Sequence, residues 1–170
     1  MEVPLRKRNV YRIASSAEYI AALGYGITIW KRSTFELVHQ FTGVRHIHGG
    51  FFLNGDVLVV FTGEQRLYFF QISEKRLLWE CPRPRQLAPM GDMQCCQIPG
   101  TDQIACIAAG KQSPEEHFLL LVNYKKQTSS LHVIPDCRRV ILSLVWEKSL
   151  GLALLSYEAN VSGGLACNII

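Results

Sequence analysis

Short apolar runs separated by polar turns recur along the 170-residue chain. Four of them lie at residues 19–23, 57–61, 104–108 and 150–155. None belongs to a sustained apolar period of about 3.6 residues, as an amphipathic helix would show. Short runs with this punctuation, rich in aliphatic residues, are typical of β-strands. The pattern therefore predicts an all-β protein.

Turn signals indicate how these strands connect. Asn54-Gly55 stands before the second run and Pro99-Gly100 before the third. Glycine in such dipeptides supplies the positive φ that tight hairpin turns require. Across the turn, each of the last three runs is preceded by another apolar segment, at residues 51–53, 94–98 and 141–146. The chain is thus predicted to fold into consecutive antiparallel hairpins.

A longer repeat is visible when residues 29–37, 69–77 and 123–131 are aligned without gaps. Each segment has an aromatic residue, then a polar turn, and a leucine seven positions after the aromatic. The aromatic residues are Trp30, Phe70 and Tyr124, so the repeat spans 40 and then 54 residues. Blades of β-propellers run about 40–50 residues, and the third unit would carry an insertion.

These repeats predict a β-propeller built from four-stranded antiparallel blades. A single domain over residues 1–170 would hold about three and three-quarter blades. The expected blades are residues 10–43, 44–84, 90–135 and 138–170, the last without its outer strand. Because propellers commonly close with about four to eight blades, this count predicts an incomplete propeller, either the N-terminal portion of a longer propeller or a shortened gene product. A four-bladed ring lacking one strand, and closure between chains, are the alternatives.

The segment Ile27–Val38 resembles WD-repeat proteins, in which a strand ends in an aromatic residue before a polar turn and a Leu-Val pair. Here the aromatic is Trp30 and the pair is Leu37-Val38. The family's Asp after Trp is replaced by Lys31, and its Gly-His pair has no counterpart. Leu77–Glu80 also looks like the outer strand of quinoprotein-type blades. The resemblance implies a member of the β-propeller superfamily with degenerate, WD-repeat-like blades.

Composition and charge restrict the function classes. Apolar residues make up 48% of the chain and charged residues 19%, as in folded proteins. The net charge of +4 is too small to predict nucleic-acid binding. The basic N-terminus is followed by polar residues rather than by the apolar core of an export signal, and no apolar run could span a membrane. A cytoplasmic protein without a membrane partner is expected.

Arginines recur in the loops predicted to join the outer strand of one blade to the inner strand of the next. They are Arg45, Arg83, Arg85, Arg138 and Arg139. In a propeller such loops emerge on one face near the central channel, where these side chains would form a basic rim. Guanidinium groups there would bind carboxylates or phosphates through paired hydrogen bonds. Ordinary solvated loop charge is the alternative explanation.

Signatures of metal binding and catalysis are sparse. His46 and His48 would share one face of a strand, but no third ligand completes a site. The six cysteines follow no framework spacing and are expected to be reduced thiols. The sequence has no Gly-x-Ser-x-Gly elbow and no phosphate-binding glycine loop. No catalytic residue, metal or cofactor is therefore predicted.

Two classes of function are compatible with this fold. The first is a non-enzymatic scaffold that presents propeller loops to a protein or peptide partner. If the arginines bind this partner, it would be acidic. The second is a propeller-type enzyme, quinoprotein-like or lyase-like, and a sensor module of a larger protein is a further alternative. The scaffold is the preferred hypothesis because the sequence shows no export signal, metal set or clustered acid–base pair. The oligomeric state is left open.

Overall fold

The computed structural model describes residues 10–89, 93–113 and 116–134, and the backbone of three strands between residues 140 and 169. The first sheet consists of β1 (Val10–Ser15), β2 (Tyr19–Gly24), β3 (Ile27–Lys31) and β4 (Leu37–Phe41), in that spatial order. The second consists of β5 (Ile47–Leu53), β6 (Val57–Thr62), β7 (Leu67–Gln71) and β8 (Arg76–Cys81), also in order.

Two further sheets follow along the chain. The third consists of β9 (Met93–Gln97), β10 (Gln103–Ala109), β11 (His117–Asn123) and β12 (Thr128–Ile134). The fourth, three-stranded over the described residues, consists of β13 (Val140–Glu147), β14 (Gly151–Tyr157) and β15 (Leu165–Ile169). Every strand pair whose register is described is antiparallel. The all-β prediction is therefore confirmed.

The chain divides into two compact units, Met1–Glu80 and Cys81–Ile170. In the first unit β1 lies beside β5, and a common core joins the first two sheets. The rings of Phe41 and Phe70 meet in this core with centroids 4.5 Å apart. In the second unit β9 lies beside β13. Ala105, Ile107 and Leu119 form a core there on one face of the third sheet.

The second strand of each four-stranded sheet accounts for the apolar runs in the sequence. In β6, Val57, Leu58, Val59 and Val60 are all buried, and in β10 the five residues 104–108 are all buried. Since successive residues of a strand point to opposite faces, such a strand is covered on both sides. This explains why these positions read as continuous apolar runs rather than as an alternation.

One backbone hydrogen bond recurs in each of the three four-stranded sheets. The first residue after the third strand donates its amide to the carbonyl of an acidic residue in the turn between the first and second strands. The pairs are Arg32 N to Glu18 O at 2.7 Å, Ile72 N to Asp56 O at 3.1 Å and Tyr124 N to Asp102 O at 3.3 Å. A second marker is a left-handed residue in the turn between the third and fourth strands. These residues are Phe35, Lys75 and Gln127, with φ of 57°, 54° and 53°.

Both markers place the third unit two residues away from the predicted alignment. They recur after 40 residues and then after 52, so Val122 is the counterpart of Trp30 and Phe70. Tyr124 is the first residue of the turn after β11, and its predicted alignment with those two aromatics is wrong. Because side chains alternate with a period of two, a shift of two residues leaves every side chain on the same face. The apolar pattern alone therefore could not reveal the shift.

In the second sheet a carboxylate reinforces this turn contact. Asp56 Oδ1 accepts from Ser73 N at 2.9 Å, and Asp56 Oδ2 accepts from Ser73 Oγ at 2.6 Å. Gln71 Nε2 also donates to Asp56 Oδ2. The side chain of Asp56 therefore connects the turn before β6 to the turn after β7.

Replacing Asp56 with alanine is expected to lower the free energy of unfolding by about 1–3 kcal/mol, because these donors lose a charged acceptor. Urea denaturation measures the change. Asp102→Ala is the matched control, since Asp102 occupies the equivalent turn and its carboxylate pairs with the exposed Lys125 at 3.0 Å. An exposed pair contributes less than about 1 kcal/mol. Equal losses in the two variants would contradict the role assigned to the Asp56 side chain.

Candidate interaction surface

The register of the first sheet brings three chain segments to the same end. Arg12 pairs with Leu23, Leu23 with Ile27, and Ile27 with Phe41. These residues form one row across the four strands. The start of β1, the turn between β2 and β3, and the loop after β4 all lie beyond that row. Side chains on these segments are therefore grouped at one end of the sheet.

Large apolar side chains are exposed at and next to this end. They are Val10, Tyr11, Ile13 and Tyr25, with exposed fractions of 38%, 48%, 72% and 68%. We call these four residues the β1 surface. Ala14, the next residue of β1, is buried in the core of the first unit, so Ile13 lies on the other face of the strand.

A β-bulge explains the position of Tyr11. Val10 pairs with Gly24 and Arg12 pairs with the next residue of β2, Leu23, so Tyr11 is an additional residue of β1 without a partner position in β2. Its ring meets that of Tyr25 edge-on, with centroids 5.8 Å apart and planes at 65°. A side-chain hydrogen bond with Tyr11 raises the pKa of Tyr25 above its ordinary value. The two tyrosines thus form a paired aromatic group outside the core.

Two exposed arginines accompany the β1 surface. Arg12 lies on β1 itself. Arg45 lies in the loop after β4, next to Val44, whose side chain is buried in the core of the first unit. The buried Val44 anchors the loop and leaves Arg45 in solvent. This end of the first sheet is therefore both aromatic and basic.

The corresponding turn of the second sheet is different. Between β6 and β7, Arg66 forms ion pairs with Glu80 and with Glu64, the latter at 3.6 Å. The neighbouring Tyr68 is half-buried, and burial raises its pKa. Carboxylates thus neutralise the positive charge of Arg66. The aromatic and basic character described above is thus specific to the first of these two sheets.

The other predicted arginines lie in the second unit or outside the described residues. Arg83 is half-buried, and its Nη1 donates to the carbonyl of Pro89 at 2.8 Å, so it holds its own loop. Arg85 is exposed in a turn of the same loop. Arg138 and Arg139 lie outside the described residues. A common basic rim formed by all five arginines therefore stays a prediction.

The loop carrying Arg83 and Arg85 is held against the end of β10. Leu87 forms a β-bridge with Gly110, and Lys111 N donates to the carbonyl of Gln86 at 2.8 Å. Residues 82–92 connect β8 to β9, whereas residues 42–46 connect β4 to β5. Part of the insertion in the third unit therefore lies in this connection, which the sequence repeat did not locate.

The paired-histidine prediction is wrong. His46 precedes β5 in a left-handed conformation, with φ of 51°, and its carbonyl accepts from Gly63 N at 2.8 Å. Only His48 lies on the strand, at an irregularity in the register between Ile47 and Gly49. The two side chains thus do not share a strand face. Within the part of the chain that the structure describes, no group of three or more His, Cys, Asp or Glu is placed to hold a metal ion.

Solved structures share this architecture. The WD40 domain of coronin from Toxoplasma gondii matches with a TM-score of 0.66 and 11% identity, covering 91% of this chain and 43% of that chain. The fold is that of a β-propeller. The computationally designed Ika4 protein matches with a TM-score of 0.71 and 9% identity, over 99% of this chain and 96% of that chain. At these identities the likeness shows the fold alone, and this chain spans less than half of the coronin chain.

Sequence comparisons add no family. No family model matches the sequence, and no curated protein sequence matches it. The predicted propeller fold is confirmed by the sheets and by the structural matches. Among the described residues, no helix has the length and apolar character needed to cross a membrane.

The β1 surface was missed in the sequence, although one signal was present. Tyr25 stands between Gly24 and Gly26 in a turn that joins two buried strands. A tight turn with flanking glycines lies at the protein surface, so a large aromatic residue there has no core to enter. Such a residue is a candidate for binding rather than for packing.

Proposed function

We propose that the chain is a non-enzymatic scaffold that binds a protein or peptide segment at the β1 surface. The observation that carries this proposal is the exposed, edge-on pair of Tyr11 and Tyr25. Tyrosine and arginine are enriched among the residues that dominate binding at protein interfaces. Exposed apolar patches rimmed by polar residues commonly mark such interfaces.

Charge indicates the chemistry of the partner. Arg12 on β1 and Arg45 in the loop at the same end of the sheet are both exposed, and the chain carries a net charge of +4. Guanidinium groups bind carboxylates through paired hydrogen bonds. We therefore assign the β1 surface to an acidic segment that also carries an apolar or aromatic side chain.

The fold supports a scaffold because paired strands hold the turns and loops in fixed positions. Tyr25 lies in the turn between β2 and β3. These two strands pair without irregularity from Tyr19–Lys31 to Leu23–Ile27. A preformed surface loses little conformational entropy on binding, which favours affinity. Since propellers serve many functions, the β1 surface rather than the likeness to coronin carries the proposal.

A peptide library displayed on phage, selected against the purified chain, tests this proposal. We expect the selected peptides to contain Asp or Glu beside an aromatic or aliphatic residue. A selected peptide should bind the Tyr11→Ser/Tyr25→Ser variant at least about tenfold more weakly, equivalent to about 1.4 kcal/mol or more, in a fluorescence anisotropy titration. Arg45→Glu should also weaken binding and reduce its dependence on salt.

Phe35→Ser is the matched control. Phe35 is 57% exposed and lies in the turn between β3 and β4, at the opposite end of the same sheet. Its replacement should leave the peptide affinity unchanged. Selection of basic or uncharged peptides, or equal weakening by the control and the tyrosine variant, would show that the β1 surface is not the binding site.

A further inference from the structure

Two cysteines face each other across adjacent strands of the third sheet. In the antiparallel register of β9 and β10, Cys95 lies directly opposite Cys106. Residues paired in this way point to the same face, with Cα atoms about 4.5–5.5 Å apart. A disulfide requires Cα atoms about 4.4–6.8 Å apart. The backbone therefore already holds this pair within reach of a disulfide bond.

The two thiols differ in their access to solvent. Cys95 is half-buried, whereas Cys106 is fully buried, with an exposed fraction of 0%. Burial and a side-chain hydrogen bond to Cys95 raise the pKa of the Cys106 thiol well above its ordinary value. Cys106 therefore stays protonated next to the sulfur of Cys95. A dissolved oxidant reaches Cys95 first, because reactivity follows exposure.

Cys96 provides the contrast on the same strand. It points to the opposite face from Cys95, and its cross-strand partner is Ala105. It packs against the core that contains Ile107 and Leu119, and burial raises its pKa to about 11. An oxidised Cys96 would meet no thiol at the opposite position of β10.

We propose that Cys95 and Cys106 form a reversible cross-strand disulfide when the protein meets hydrogen peroxide. Cys95 loses its thiol proton and its sulfur attacks one peroxide oxygen, so that the O–O bond breaks and Cys95 becomes a sulfenic acid. The departing hydroxide takes up the proton that Cys95 lost and leaves as the first water. The Cys106 sulfur then attacks the Cys95 sulfur and forms the S–S bond. The Cys106 proton joins the departing hydroxyl as the second water. Two thiols and one peroxide thus give one disulfide and two waters.

The disulfide would fix the first strand of the third sheet to its neighbour. It joins β9 covalently to β10, and β9 also lies beside β13 in the second unit. A link between residues 95 and 106 restricts the unfolded chain more than the folded one. The oxidised protein should therefore unfold at a higher urea concentration than the reduced protein.

The purified chain is treated with hydrogen peroxide at neutral pH, its remaining thiols are alkylated, and its peptides are analysed by mass spectrometry. We expect a cross-linked peptide that joins Cys95 to Cys106 and that dithiothreitol separates. Cys96→Ser should form the same cross-link to the same extent. Cys106→Ala should instead retain a sulfenic acid at Cys95 that dimedone traps.

Three outcomes would overturn the proposal. They are oxidation of Cys95 in the unsubstituted chain without a cross-link, a cross-link to Cys81 or Cys96 instead of Cys106, and a cross-link between two copies of the chain. If Cys106→Ala does not fold, the cross-link between Cys95 and Cys106 is still tested in the unsubstituted chain and in Cys96→Ser. Neither of these proteins is changed at the buried Cys106.

Discussion

Replacing Phe70 with alanine is expected to lower the free energy of unfolding by about 3–5 kcal/mol. The side chain is 3% exposed, lies in the core between the first two sheets, and meets the ring of Phe41 at 4.5 Å. Removal of the ring leaves a cavity in the core that the first two sheets share. Urea denaturation followed by tryptophan fluorescence measures the loss.

Phe35→Ala tests whether this loss comes from the core. It makes the same chemical change in the same unit at a side chain that is 57% exposed. We expect its free energy of unfolding to stay within about 0.5 kcal/mol of the original chain. A loss at Phe70 no larger than the loss at Phe35 would mean that the contact between the two sheets does not depend on this ring.

Gly50→Ala should lower the free energy of unfolding by about 3 kcal/mol, because β5 has no room for a side chain there. A Cβ atom at Gly50 would lie 2.5 Å from the carbonyl oxygen of Val59 and 2.9 Å from Cδ1 of Leu23. The oxygen belongs to the backbone of β6 and cannot rotate away. The same denaturation experiment measures the effect, and shortening Leu23 as well should not restore stability.

Gly63→Ala separates this backbone clash from crowding by a side chain. A Cβ atom there would lie 2.7 Å from Nε2 of His48, an atom of an exposed side chain and not of the backbone. The expected loss is below about 1 kcal/mol. If alanine at Gly50 were tolerated as well as alanine at Gly63, the close approach of β5 to β6 would not be a constraint on the fold.

The sequence predicted the strands well because their physical cause is local. Turn dipeptides such as Asn54-Gly55 and apolar runs such as Val57–Phe61 determine hairpins over a few residues. The alignment of the third unit was less accurate, since Tyr124 and Val122 are two residues apart and both fit an apolar pattern with a period of two. The hydrogen bond from Tyr124 N to Asp102 O distinguishes them. Because it joins two backbone atoms, the residue types do not predict it.

The candidate surface could not be derived in the same way. Exposure of Tyr11 depends on an irregularity in the pairing of β1 with β2, and strand propensity does not indicate such bulges. Exposure of Tyr25 was accessible from its flanking glycines. The predicted arginines were chosen by their place in loops, yet a loop position does not say whether a side chain is free. Arg83 holds the carbonyl of Pro89, while Arg45 lies in solvent.

The hydrogen bonds that mark each repeat run between main-chain atoms, from Arg32, Ile72 and Tyr124 to Glu18, Asp56 and Asp102. Any residue except proline can donate such an amide, and any residue can accept at its carbonyl. Mutation can therefore replace the side chains at these positions while the hydrogen-bonded frame of the blade persists. At these positions the fold therefore constrains the backbone far more than it constrains the choice of amino acid. A chain of this kind is recognised by its shape when no family model matches its sequence.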